Sequence, residues 1–435
     1  MRLVLALLVL RAAALASPAD TVTFNKNVLP ILQKNCQVCH RPGEIGPMSF
    51  LTYEGARPWA KAMKEAVLTR KMPPWFADPQ VGHFMNERRL SDADIKTISD
   101  WVDAGAPEGE AKDKPALVQW TDGWNIKPDV VYEMPHAYLI PATGTIEYIY
   151  ILLPAKFPKD TWIADAEIRP SNRSVVHHAS VIVRPPGSKW MGDAKPGEPY
   201  MPPKKKGRAI TSENAAATAD MQNDWFLGYV PGMHPQRYFY PEKGAGRMIP
   251  AGSDIFLEMH YTANGKESVD QTKVGFVFAK QPPAKRLLNL MVMDFNFEIP
   301  PNAPKHPGTT WAVLNEPATL VYTQPHLHMR GIDMEIKVTF PDGKSQTLVS
   351  VPRYNYLWQT IYVQDQPIEL PKGTRIDVTA HWDNSPNNIF NPDPTKTVRW
   401  GDQSWDEMLV AFVGVTVDRN LDPNKILSMR GKPVK

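Results

Sequence analysis

Residues 254–261 read Asp254-Ile255-Phe256-Leu257-Glu258-Met259-His260-Tyr261, and this stretch decides the fold class. Successive side chains of an extended strand point to opposite faces. Ile255, Leu257, Met259 and Tyr261 therefore share one apolar face. Phe256, Glu258 and His260 share the other, which carries chemistry as well as packing. Similar short runs recur from about residue 120 onward: Thr145 to Leu153, Val175 to Val183, Lys273 to Phe278, Leu320 to Tyr322, Met334 to Phe340, Arg375 to His381 and Leu409 to Val417. Turn signals such as Pro341-Asp342-Gly343 and Pro371-Lys372-Gly373 separate them. The chain's 43 prolines argue against long helices and for short strands joined by loops. This part reads as all-β, sandwich or jelly-roll-like.

A Pro-rich stretch around 280–305 divides the β-rich part, with the boundary near Gln281 to Lys285. The expected domains are 123–284 and 285–435. Residues 185–250 read as a long loop-rich insertion. Upstream, residues 20–110 read as a small α-helical domain, with apolar helical spacing over Ala56 to Leu68 and Asp92 to Val102. Ser91 with Asp92 and Asp94 makes a helix start. Residues 111–122 are expected to be a linker. Residues 1–16 read as a secretory signal: Arg2, an apolar run from Leu3 to Leu10, and a small-x-small site at Ala14-Leu15-Ala16. The expected location is periplasmic or secreted, with no membrane span after cleavage. Net charge is +3 and the basic triplet Lys204-Lys205-Lys206 sits in a Pro-rich loop, so a nucleic-acid partner is not expected.

The only two cysteines stand in Cys36-Gln37-Val38-Cys39-His40. That spacing attaches a c-type haem, with both thiols bonded to the porphyrin and His40 as an axial iron ligand. Met72, in the rigid segment Arg70-Lys71-Met72-Pro73-Pro74-Trp75, is the expected second axial ligand. Met48, Met63, Met85 and His83 compete with it. Cys36, Cys39, His40 and the Met72-Pro73 pair resemble a small class I cytochrome c. Any further metal must be held by His, Met or carboxylate.

Three patterns supply such donors. His177 and His178 are adjacent, so they can face one metal only at a strand end or a bulge. His260 lies on the strand quoted above. His326 and His328 are two apart, hence on one strand face, and can chelate one ion without distortion. Met408 opens the last apolar strand. A thioether beside two imidazoles selects Cu(I) over zinc. Taken alone, each of these residues also has an ordinary structural reading. His136, His234, His306 and His381 are read as structural, and Asn384, Asn387 and Asn388 as turn residues.

In this order and spacing the patterns resemble the type II, ascorbate-dependent copper monooxygenases, which include peptidylglycine α-hydroxylating and dopamine β-monooxygenases. The resemblance spans roughly residues 125–420 and is sharpest at His326-x-His328 and the Asp406-Glu407-Met408 segment, with Gly401 upstream. It implies two β-sandwiches side by side, with one copper on each facing a shared solvent-filled cleft. His326, His328 and Met408 would be the catalytic ligands, at the copper where O2 meets a substrate C–H bond. His177, His178 and His260 would hold the copper that delivers the second electron. Implied partners are O2, a small-molecule or peptide-like organic substrate, and an external electron donor feeding the haem. The chain departs from the family's eukaryotic members in having no cysteine in this region and in its fused haem motif. Two other functions stand beside this one: a non-catalytic haem/copper electron-transfer protein, and a haem-bearing binding module. Blue-copper chemistry is disfavoured because it needs a cysteine.

Overall fold

The structure is a computed structural model and describes residues 21–121, 123–201, 225–232, 236–237 and 244–429. The expected signal segment, the triplet at Lys204, Lys205 and Lys206, and His234 lie outside the described residues.

The chain is mostly β-sheet with a small helical unit at its start. A π-helical turn, Phe24–Val28, runs into the helix Leu29–Asn35. The helix expected from Ala56 to Leu68 is divided. Tyr53–Ala56 and Ala60–Leu68 flank a 3-10 turn at Arg57–Trp59. Pro58 sits in that turn and lacks the N–H that a continuous α-helix would use. The helix Asp92–Asp103 starts as its sequence implies, with Ser91 Oγ accepting from Asp94 N at 3.1 Å. Phe24, Leu29, Leu32, Phe50, Met63, Ile98 and the fully buried Trp101 form the core of this unit.

From Leu68 the chain leaves the helical unit before returning to it. Trp75, Ala77 and Phe84 are buried in the core of the distant C-terminal sandwich. Met85 N donates to Val363 O at 3.0 Å and Asp365 N donates to His83 O at 2.9 Å. This strap covers strand Tyr362–Leu370, which ends its sheet and would otherwise present unpaired backbone groups.

The first sandwich has a five-stranded sheet ordered Pro199–Tyr200, Ile149–Leu153, Asp254–Tyr261, Val176–Arg184 and Trp225–Tyr229. Its apolar face supplies Ile149, Ile151, Val181, Leu257 and Met259. These pack on Ile163, Ala166, Ile168, Val274 and Phe276 of the facing sheet. The second sandwich packs Lys285–Asp294, Leu409–Asp418 and Ala318–His326 against Gly331–Thr339, Ser345–Val351, Arg375–Trp382 and His306–Leu314.

Two expectations need correction. The 280–305 stretch is not simply a Pro-rich separator. It contains the ten-residue strand Lys285–Asp294, paired along its whole length with Leu409–Asp418. Its prolines lie outside the strand, at 282, 283, 300, 301 and 304, and residues 287–293 are all buried. The two sandwiches also share a sheet. Lys285 and Arg286 pair in parallel with Ala245 and Gly246 of strand Ala245–Ile249, so one nine-stranded sheet runs through both halves. That strand and Trp225–Tyr229 also lie inside the region read as a loop-rich insertion.

Candidate metal centres

The strand quoted at the outset is two-faced, as its alternation implies. Ile255, Leu257, Met259 and Tyr261 enter the sandwich core, whereas Phe256 packs with Tyr150 and Ile182 on the other side. On that second face His260 stands opposite His178 of the neighbouring strand. The register then shifts. His260 pairs with His178, but Tyr261 pairs with Val176, so His177 is the extra residue of a β-bulge. The bulge turns His177 to the same side as its neighbour, which a regular strand forbids.

The result is a convergence of three imidazoles, each under a tenth exposed. His177 Nδ1 lies 3.1 Å from His260 Nδ1 and 3.2 Å from His178 Nδ1. His177 Nε2 is 2.8 Å from the Leu357 carbonyl, which only accepts, so Nε2 carries the proton and Nδ1 presents a lone pair. Two nitrogens at about 2.0–2.1 Å from one ion in tetrahedral geometry stand about 3.3 Å apart, close to the spacing seen. The residues fit a single metal bound through Nδ1. Burial holds all three imidazoles below their ordinary pKa, and the mutual repulsion of charged rings lowers His178 and His260 further. They are neutral near pH 7, the form that binds metal.

The second group lies across the interface between the sandwiches. His326 ends strand Ala318–His326, and His328 follows in extended chain just beyond the strand rather than within it. Their rings are 5.2 Å apart between centroids. Here the Nδ1 atoms are the engaged ones. His326 Nδ1 donates to Gln359 Oε1 at 2.8 Å and His328 Nδ1 to Asp406 O at 3.3 Å. With its proton on Nδ1, His326 presents the Nε2 lone pair, the arrangement that outer hydrogen bonds impose on metal-ligating histidines. Burial pushes His326 down to about 4 and His328 down to about 3.

A buried carboxylate braces this group. Glu407 is fully buried and accepts from His328 N at 2.9 Å, Arg330 N at 2.6 Å and Trp382 Nε1 at 3.1 Å. Burial nevertheless pushes its carboxyl up to about 7. Arg330 ties the same loop to Asn384 Oδ1 at 2.9 Å and to Trp405 O at 2.8 Å. Asn384 also donates to Pro300 O and Lys396 O. A Cβ at Gly401 would run into the Asp406 carboxylate, so a glycine there lets the 400–407 loop close beneath Met408.

One cavity is shared by the second group and one histidine of the first. His178, His326, His328 and Met408 line it, together with Tyr148, Gln324 and Gln359. Its volume is about 50 Å³, room for a few waters. His136 is exposed, and His381 pairs with Asp333 at 2.7 Å, away from both groups.

In the helical unit Cys36 and Cys39 are free thiols, one turn apart. Burial and the neighbouring Cys39 push Cys36 up to about 12, and burial raises Cys39. His40 stacks on Phe50 at 4.5 Å between ring centroids, and its Nδ1 is buried with no hydrogen-bond partner. Two free thiols, an underbonded imidazole and an apolar core beside them fit a covalent haem. Met48 and Met63 pack in the same cluster as Cys36, whereas Met72 lies outside that cluster, where the strap begins. The backbones of His83 and Met85 are bonded to the second sandwich instead. Cys39 faces the first sandwich: a Cβ added at Gly232 would lie 2.7 Å from its Sγ.

Sequence reasoning missed Leu357, Gln359 and Tyr354. The first acts through a backbone carbonyl, and no residue type signals that. No protein-family model and no curated protein sequence matches the chain. Among solved structures it is similar to infectious bursal disease virus Gx strain, at 8% identity and TM-score 0.19, over 69% of this chain and 75% of that one. A VP2 subviral particle of the same virus aligns at 9% identity and TM-score 0.19, over 71% and 78%. At such scores the likeness carries no argument.

Proposed function

We propose that this protein is a copper-dependent monooxygenase that receives its electrons through a covalently bound haem. The observation that carries the reading is a converged three-histidine cluster whose His178 lines the same cavity as His326, His328 and Met408. His177, His178 and His260 would hold one copper through Nδ1; His326, His328 and the Met408 thioether would hold the other. Copper supplies one-electron storage and reaction with O2, and a thioether ligand favours the reduced ion. The chain's own residues do the rest. Leu357 O fixes the His177 tautomer, Gln359 and Asp406 fix those of His326 and His328, and Glu407 holds the His-x-His segment at its register. Cys36, Cys39 and His40 would hold the haem. Met72 is the proposed sixth ligand, with Met48 and Met63 its competitors from the same unit. The haem-attachment motif supports maturation outside the cytoplasm. No helix among the described residues is long and apolar enough to cross a membrane.

The test is O2 uptake by haem- and copper-loaded protein against a panel of organic and peptide substrates, with isotopically labelled O2. The reading expects one labelled oxygen in a product and its loss in Met408→Ala. Copper that cycles with the haem while no product takes up label would favour the second reading, electron transfer without oxygen chemistry. The small cavity is the observation on that side.

A further inference from the structure

One short segment of the second sandwich touches a histidine of each group. It runs from Tyr354 to Gln359, between strands Ser345–Val351 and Tyr362–Leu370. At its start, the Tyr354 hydroxyl donates to Leu327 O at 2.7 Å and accepts from Leu327 N at 3.0 Å. It thereby grips the residue between His326 and His328. In its middle, Leu357 O accepts from His177 Nε2 across the sandwich interface, at 2.8 Å. At its end, Gln359 Oε1 accepts from His326 Nδ1 at 2.8 Å, and Gln359 O accepts from Gln324 Nε2 at 3.0 Å. The segment is shaped from within by Asn355, whose Oδ1 accepts from Leu357 N at 3.0 Å and whose O accepts from Trp358 N at 2.9 Å.

We propose that residues 354–359 form a clamp that couples the two metal centres, so that metal at either one strengthens binding at the other. The inference rests on the copper reading above. A cation on His177 Nδ1 polarises the ring and strengthens its Nε2–H bond to Leu357 O. That bond orders the segment. The ordered segment then has Gln359 Oε1 in place to accept the hydrogen bond from His326 Nδ1, so that Nε2 presents its lone pair to the second ion. The same chain of contacts runs in reverse, and thermodynamic linkage makes the coupling equal in both directions. Gln359 is a positioning residue here: it acts through His326.

The test is anaerobic titration of the full haem-loaded protein with Cu(I) alone, against a competing chelator. His328→Ala isolates the three-histidine centre, and His260→Ala isolates the other. The clamp predicts that each centre binds about fivefold or more weakly in isolation than when its partner is filled, and by the same factor in both directions. Gln359→Leu should remove the coupling and Gln359→Glu, which keeps an acceptor, should restore it; a purely structural role would leave the remote centre unmoved. Equal affinities in the isolated and paired states would overturn the clamp while leaving the copper reading intact. Failure of wild type to bind Cu(I) at either centre would overturn the copper reading and the clamp with it.

Discussion

The two histidine groups use the same side chain in opposite ways. At His177, His178 and His260 the Nδ1 atoms converge and an outer carbonyl takes Nε2. At His326 and His328 it is the Nδ1 atoms that outer oxygens tie. The cause is backbone. The first group is set by a bulge within a paired sheet, with a single outside contact, the Leu357 carbonyl on His177 Nε2. The second projects from a strand end and is held by a buried carboxylate, a tyrosine and an arginine. Register makes one site and a polar scaffold makes the other.

That contrast breaks most visibly at Glu407. Glu407→Ala strands three buried donors, which should cost about 3 kcal/mol or more. Thermal unfolding would detect it as a large fall in Tm. A fall no larger than that of an exposed carboxylate would mean the scaffold is not what holds the second group. Next, ligand removal separates the two centres: His177→Ala and His326→Ala should each lose one of two coppers, by metal analysis. Loss of both in either variant even at saturating copper, where a weakening of about fivefold is overcome, would mean that the groups form one site.

The Met408 thioether sharpens the difference further. Met408→Ala should weaken Cu(I) more than Cu(II) at the second centre, read by paired titrations; equal weakening would show that the thioether does not set the oxidation-state preference. The smallest expected effect lies in neither centre. Ser91→Ala removes the cap of helix Asp92–Asp103 and should cost about 1 kcal/mol, with copper content unchanged. A change in copper content there would tie the helical unit to the histidine groups more tightly than the strap alone does.

Much of this contrast was legible in sequence. Alternation in 254–261 gave the two faces of the strand, and the adjacency of His177 and His178 left a strand end or a bulge as the ways to turn both to one metal, of which the register contains the bulge. The spacing of His326 and His328 placed them together, although the strand ends at the first of them. What stayed hidden is non-local. Trp75 and Phe84 read as part of the helical domain, yet they are buried in the second sandwich. Lys285–Asp294 was masked by the prolines on either side of it. The Leu357 carbonyl serves a histidine 180 residues away, a contact that only the fold creates.

The central claim is two copper centres of different construction served by one haem. Copper per haem, measured on protein matured in an exporting, haem-attaching host, tests it most directly, with electron paramagnetic resonance of the oxidised form. The account predicts two coppers per haem with two type 2 signals, one lost in His177→Ala and the other altered in Met408→Ala. No specific copper, or a single signal indifferent to both substitutions, would contradict it.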